Sequence, residues 1–387
     1  MRIGFDAKRA FHNGTGLGHY SRTLIRSLAD TFPDHRYFLF NPKSSKHFSL
    51  PWDGVSRQQL QEIQPSRPLD KLFPAAWRSA WVKNDLRKLS IDLYHGLSHE
   101  IPRGIGKKGI RTVVTIHDLI FERFPEQYKA IDVRIYRHKF RYACEHADRI
   151  IAISEQTKRD IVEFYQIPAR KIRVCYQSCN PAFFEEISEE EKHRIKELYQ
   201  LPEKFFLYVG SIIERKNLLR VVEALYQIRK QTDIPLVVIG TGGKYERAVR
   251  AKVQALGLSS SVIFLSHLPQ AKNDSRFKNA ADFPAIYQLA SAMIYPSLFE
   301  GFGIPVLEAL ASSLPVITSN LSSLPEAAGS GSLLVDPHSS DAIAAAMNQV
   351  LRDPDKVADM KAVGRKHAAL FTPEATARKV MDLYESI

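Results

Sequence analysis

The sequence predicts an α/β fold made of two doubly wound domains, each a parallel sheet covered by helices. Three observations predict it. The chain has 387 residues, more than one core usually serves, so two domains of about 180 residues each are expected. Short β-branched or aromatic runs alternate with longer helical patterns, the alternation of a parallel sheet. The same alternation restarts after Asn180-Pro181.

In the first series, strands are expected at Arg2 to Ala7, Tyr37 to Phe40, Asp92 to His95, Thr112 to Ile116, Arg149 to Ile153 and Ile172 to Tyr176. The opening Met1-Arg2-Ile3-Gly4-Phe5-Asp6 reads as strand and lacks the order of a secretory signal. The loop Gly14 to Gly18 precedes a helix expected near Leu17 and brings backbone N–H groups toward a distal phosphate or an acceptor. It lacks the dinucleotide spacing with its following acidic residue, which counts against an oxidoreductase.

The second series runs Phe205 to Val209, Leu236 to Ile239, Val262 to Leu265, Ala292 to Tyr295, Val316 to Thr318 and Leu333 to Val335. Domains are therefore drawn at 1–180 and 181–372. The closing segment 373–387 reads as a helix with Ala377, Val380, Met381 and Tyr384 on one apolar face, expected to return onto the first domain. Between Leu268 and Phe283 a polar run shows no clear period and reads as an inserted surface loop.

Composition narrows the class. Hydrophobic residues at 44% and charged residues at 25% suit a soluble globular protein. No uninterrupted apolar run reaches the roughly 18 residues of a spanning helix, so a cytoplasmic chain, or one peripheral on the inner face of the cytoplasmic membrane, is expected. The net charge of +12 favours anionic partners: nucleotides, acidic lipid or nucleic acid. No nucleic-acid motif accompanies the charge, which leaves a nucleic-acid-binding protein as the remote alternative. Cys144, Cys175 and Cys179 lack zinc-ligand spacing and are read as reduced and mostly buried.

The densest chemistry lies between Ser297 and Ala311. Pro305 marks the first turn of a helix, because proline needs no backbone donor there and arrives with its φ set. Gly301 and Gly303 let the backbone approach a ligand, and the N–H groups at the helix start favour a diphosphate. Glu300 before the helix and Glu308 within it supply acceptors for sugar hydroxyls. In such sheets ligands bind beyond the carboxyl ends of strands. His117 and Asp118 follow a strand in the first half; Gly210, Arg215 and Lys216 follow the first strand of the second. A site in the cleft between the two domains is expected, taking a sugar nucleotide.

These residues resemble the retaining nucleotide-sugar glycosyltransferases of family four, with the GT-B fold of two facing Rossmann-like domains and an interdomain cleft. The resemblance rests on Gly14-Thr15-Gly16-Leu17-Gly18-His19-Tyr20-Ser21-Arg22, His117-Asp118, Ile153-Ser154-Glu155, Gly210-Ser211-Ile212-Ile213-Glu214-Arg215-Lys216-Asn217, the two-glutamate segment, Ser322-Ser323-Leu324-Pro325-Glu326 and Leu334-Val335-Asp336-Pro337. It implies transfer of a hexose from a nucleoside diphosphate to an acceptor hydroxyl with retention, no metal and no cofactor beyond the donor. By resemblance, His117, Arg215, Lys216 and Glu300 form the catalytic set. Gly16, Gly18, Gly210, Gly301, Phe302, Gly303, Ile304 and Glu308 bind the donor. Arg215 and Lys216 take its phosphates, Glu308 the ribose hydroxyls and Glu300 the hexose. His117 is read as a positioning residue near the hexose, with a core histidine satisfied by backbone as the alternative.

GDP-mannose is the favoured donor, because the Gly-rich start and the Ser-Ser-Leu-Pro-Glu segment resemble the bacterial mannosyltransferase subgroup. UDP-glucose and UDP-N-acetylhexosamine transferases, and a sugar-nucleotide epimerase, are the alternatives. The acceptor is expected to be a glycan or a lipid-linked glycan of a cell-surface polysaccharide such as lipopolysaccharide. Phe73, Trp77 and Trp81 beside Lys71, Arg78, Lys83, Arg87 and Lys88, and the basic run Arg134 to Arg141, suggest contact with an anionic membrane; ordinary packing is the alternative.

Overall fold

The computed structural model describes residues 1–45, 48, 59–106 and 109–387. The chain divides into two compact units, Met1–Ser178 with Pro373–Ile387, and Cys179–Thr372.

The first unit holds a seven-stranded parallel sheet in the order β3-β2-β1-β4-β5-β6-β7. Its strands are β1 Arg2–Asp6, β2 Arg36–Phe40, β3 Leu60–Ile63, β4 Leu93–Gly96, β5 Arg111–Ile116, β6 Arg149–Ala152 and β7 Ile172–Val174. β1 pairs in register with β2 on one side (Phe5 opposite Leu39) and β4 on the other (Phe5 opposite His95). Most strand residues are buried because helices cover both faces of the sheet. The closing helix Pro373–Glu385 packs on the helix Gly16–Thr31. Its Ala377, Val380, Met381 and Tyr384 join Ile3, Phe5, Leu24 and Leu28 in one buried cluster.

The second unit holds a six-stranded parallel sheet in the order β10-β9-β8-β11-β12-β13. The strands are β8 Phe206–Val209, β9 Leu236–Ile239, β10 Val262–Phe264, β11 Ala292–Tyr295, β12 Val316–Ser319 and β13 Leu333–Val335. Helices Leu218–Ile228 and Ser340–Arg352 pack together and bury Val221, Leu225, Ile343 and Met347 against the sheet. In each unit the order of connection reverses once, between β1 and β4 and between β8 and β11, and these reversals place the two crevices described below.

Three readings of the sequence are corrected. The polar run after Leu268 is not a surface loop but two short helices, Pro269–Asn273 and Ser275–Lys278. Asp274 caps the second by accepting from the Arg276 and Phe277 amides, Phe277 packs on Tyr199, and Arg276 pairs with buried Asp282 at 2.7 Å. Helices this short leave no period in a sequence. β3 was absent from the expected strands; only Leu60 of its four residues is buried, so this edge strand carries little apolar signal. Finally, Phe73, Trp77 and Trp81 do not share a face. Trp77–Trp81 forms a π-turn, in which the Val82 amide donates to the Trp77 carbonyl, so a four-residue spacing no longer aligns side chains. Trp77 is fully buried and donates from its indole to Asp85 at 2.7 Å.

Candidate active site

In the second unit the crevice lies beyond the carboxyl ends of β8 and β11, where the strand order reverses, the position at which open α/β sheets bind ligands. Gly210 closes β8 with φ +149°, a conformation that L side chains rarely adopt, and a Cβ there would lie 3.1 Å from the Lys216 side chain. Lys216 therefore folds back over the strand end. The turn Glu214–Lys216 leads to Asn217, whose amide donates to the carbonyls of Pro296 and Pro337 and ties this loop to those after β11 and β13.

Glu300, on the loop after β11, meets both cations: its two carboxylate oxygens lie 3.2 Å from Arg215 Nη1 and 3.2 Å from Lys216 Nζ. Tyr295 stands between them, accepting from Lys216 and donating to Glu300 at 3.0 Å. Arg215 also donates to the Phe299 carbonyl. Burial pushes the Glu300 carboxyl up, but Lys216 and then Arg215 outweigh it and hold the group at about 2. Two cations against one carboxylate leave the cluster one positive charge in excess. The loop is held from behind: the Glu300 amide donates to Ser322 at 3.1 Å, and Ser323 donates to the carbonyls of Glu300 and Phe302.

Gly303 is the residue before the helix Ile304–Ala311 and has φ +128°, with Leu324 and Ala327 where a Cβ would sit. Pro305 stands in the first turn. Among the described residues the Gly303 and Ile304 amides meet no acceptor, so the helix start presents donors on the loop that carries Glu300, Gly301 and Phe302. Glu308, one residue beyond the first turn, is half-buried and accepts from Tyr287 at 3.0 Å. Burial raises its carboxyl to about 7, with the Tyr287 bond opposing the rise. The structure thus gathers Gly210, Arg215, Lys216 and Glu300 into one cluster, continues it through Gly301–Ile304, and sets Glu308 apart with its own partner.

The other candidates belong to the first unit. His117 follows β5 and is buried. Its Nε2 lies 2.9 Å from the Leu97 carbonyl, which only accepts, so Nε2 carries the proton; Nδ1 accepts from the Gln177 amide at 2.9 Å. Burial lowers the imidazole to about 4. Both ring nitrogens are thus engaged within the first unit and the ring is held neutral. Its ring packs edge-on against Tyr20 at 4.6 Å, which joins it to the helix Gly16–Thr31. In the first turn of that helix, the Gly18 amide bonds to the Thr15 carbonyl and to Asn13 Oδ1, and a Cβ on Gly18 would lie 1.8 Å from the Asn13 carbonyl oxygen. Gly18 serves close packing, whereas Gly16 faces open space.

Sequence reasoning missed Tyr295 and Tyr287, the two phenols that organise the carboxylates; both sit among apolar residues and read as core. It did mark the Ser322–Glu326 and Leu334–Pro337 segments, which prove to be supports: Ser322, Ser323 and the Pro337 carbonyl hold the loops. Asp353 of the one Asp-x-Asp sequence caps the helix Pro354–Ala368.

Two parallel-sheet units with a cationic cluster at one switch point have the architecture of the GT-B fold. Residues 14–183 match the family described as Glycosyltransferase Family 4, and residues 189–367 match that described as Glycosyl transferases group 1. The chain belongs to the family 4 glycosyltransferases. It is 26% identical to the O-antigen chain mannosyltransferase B of Escherichia coli, with 100% of both chains covered. Its fold is that of sucrose-phosphate synthase from Thermosynechococcus elongatus (TM-score 0.75, 21% identity, 100% of this chain and 98% of that one). It is also that of Anabaena HepE in complex with UDP (TM-score 0.74, 16% identity, 100% of both chains).

Proposed function

We propose that this glycosyltransferase moves mannose from GDP-mannose, with retention and without a metal, to a hydroxyl of a glycan or lipid-linked acceptor in cell-surface polysaccharide synthesis. The observation that carries the reading is the Arg215–Lys216–Glu300 cluster beside a helix start with unengaged donors. The acceptor oxygen forms its bond to the anomeric carbon as the bond from that carbon to the diphosphate breaks, and a donor phosphate oxygen takes the acceptor proton. Negative charge grows on the leaving diphosphate, and preorganised cations and helix-start amides stabilise it where it develops. The excess positive charge of the cluster suits that task. Glu308 accepts from the ribose hydroxyls. Glu300 holds both cations and orients the hexose. The choice of mannose is supported by the name of the Escherichia coli relative.

The enzyme works, in this reading, at the cytoplasmic face of a membrane. No helix among the described residues is long and apolar enough to cross one. Leu69, Leu72 and Phe73 are more than half exposed, and Trp81, Arg87 and Lys88 are exposed. Ile131, Ile135 and Tyr136 are exposed on the helix that carries Arg134, Arg137 and Lys139. Exposed apolar residues on segments that also carry cations suit an anionic lipid surface. Flotation with anionic vesicles at low salt tests this part: recovery with the vesicles is expected, and recovery with the unbound protein contradicts it.

The test of the main reading is product formation from GDP-mannose, UDP-glucose and UDP-N-acetylglucosamine in EDTA with a mannose-terminated acceptor, the anomeric configuration being read by NMR. Acceptor-dependent release of GDP with an α-linked product is expected. Release from UDP-sugars alone overturns the donor, an inverted product overturns retention, and acceptor-independent release of nucleotide favours an epimerase.

A further inference from the structure

The first unit has a crevice of its own, at the reversal of strand order between β1 and β4. A cavity of about 600 Å³ opens there, lined by residues that follow the carboxyl ends of β1 (Lys8), β2 (Lys43) and β4 (Glu100, Arg103), together with Arg78 and Lys139. This is where an open parallel sheet binds its ligand, and nothing described so far uses it: His117 lies after β5 and turns both ring nitrogens into the fold.

Its charges are unequal. Arg78 is bound to Asp6 through three contacts and to Glu100 at 3.0 Å, and Lys139 reaches Glu100 at 3.4 Å. Those two carboxylates are thereby engaged. Lys8, Lys43 and Arg103 form no ion pair among the described residues, which leaves five cations against two carboxylates. Burial and then the Arg78 guanidinium push the Lys8 ammonium below its ordinary value, against the pull of Glu100 and Asp6. Pro74, Ala76 and Ile101 add apolar lining to the cavity.

We infer that this crevice binds a phosphate or diphosphate group, held by Lys8, Lys43 and Arg103, on a ligand whose apolar part lies along Pro74, Ala76 and Ile101. If the transfer reaction proposed above holds, the ligand is the phosphorylated end of the acceptor; the crevice itself is argued without that reading. Phosphate is the chemistry that three donors of this kind select, since each ammonium or guanidinium makes charge-assisted bonds to separate oxygens. Neither Lys8 nor Lys43 makes a side-chain hydrogen bond or ion pair among the described residues, so their removal orphans no buried partner.

Calorimetry with inorganic pyrophosphate and with geranyl diphosphate tests the inference on the wild type and on Lys8→Ala/Lys43→Ala, with circular dichroism to verify folding. With GDP present to occupy the cluster of the second unit, the wild type is expected to bind, and the double variant to bind about tenfold more weakly or worse. Tighter binding of geranyl diphosphate than of pyrophosphate assigns the ligand to a lipid phosphate, and equal binding assigns it to a free one; both support the site. Absence of binding overturns it, as does equal binding by the double variant, which places the phosphate elsewhere. Capture on anionic vesicles free of diphosphate, without binding of either soluble probe, also overturns it and leaves these cations to a membrane surface.

Discussion

Glu300 is buried and Glu308 half-buried on one loop and helix, and their environments drive the two carboxyls apart, to about 2 and about 7. Glu300 has two cations within 3.2 Å; among the described residues Glu308 bonds through its side chain to a phenol alone. Because the Glu308 value is raised from 4.5, the folded chain holds its proton more tightly than the unfolded one. Its contribution to stability is therefore full at low pH and is lost as pH rises through the window from 4.5 to 7. Glu308→Gln is expected to melt above the wild type at pH 8, with the difference vanishing near pH 5. Ribose hydroxyls donate best to the carboxylate, so nucleotide affinity of the wild type should climb between pH 6 and 8 while that of Glu308→Gln stays flat; parallel profiles would contradict the role. Glu300 runs the other way: its contribution is present above 4.5 and is lost as pH falls toward 2.

Removing Glu300 leaves two buried cations facing one another. Glu300→Gln is expected to cost about 3 kcal/mol of stability in the free protein, and added GDP or UDP should raise its melting temperature more than that of the wild type, since diphosphate replaces the lost charge. An equal rise in both would show that the cations do not meet the phosphates. Lys216→Ala should lower kcat by about a hundredfold or more with a smaller change in KM, because the ammonium acts most strongly on charge that develops in the transition state.

At the scale of elements, the two Gly-rich helix starts differ in what their glycines do. Gly18→Ala puts a Cβ 1.8 Å from a backbone oxygen, and Gly303→Ala adds a side chain at φ +128°. Both should destabilise by about 1–3 kcal/mol in thermal melts, whereas Gly16→Ala, with open space around it, should melt like the wild type. The strands and the helix start at Pro305 were legible because buried parallel strands are near-continuous apolar runs and proline signals a first turn. β3 and the helices after Leu268 were not, being too short or too polar to show a period. The site residues with charge were legible from their places after strands. Their partners were not, because Tyr295 and Tyr287 differ from core tyrosines only in what their hydroxyls meet. His117 shows the same limit: its place after a strand was legible, but the Leu97 and Gln177 bonds of its ring were not.

At the scale of the whole molecule, chain order and compact units do not coincide, for the last helix belongs with the first sheet. Truncation after Thr372 strips Ala377, Val380, Met381 and Tyr384 from a cluster that includes Ile3 and Phe5, and it breaks the Tyr384–His95 hydrogen bond. The first unit should then unfold at lower temperature while the second keeps its nucleotide affinity. Loss of both together would make the two units a single cooperative structure.

The central claim is that the second unit holds a nucleoside diphosphate through the cationic cluster and Glu308. Its most direct test is calorimetry of GDP and UDP, in EDTA, against the wild type and Glu308→Ala. Binding that prefers GDP and weakens about tenfold on mutation is the predicted result. Preference for UDP would keep the site and change the donor. Absence of binding to either nucleotide, or equal binding by the variant, would contradict the account.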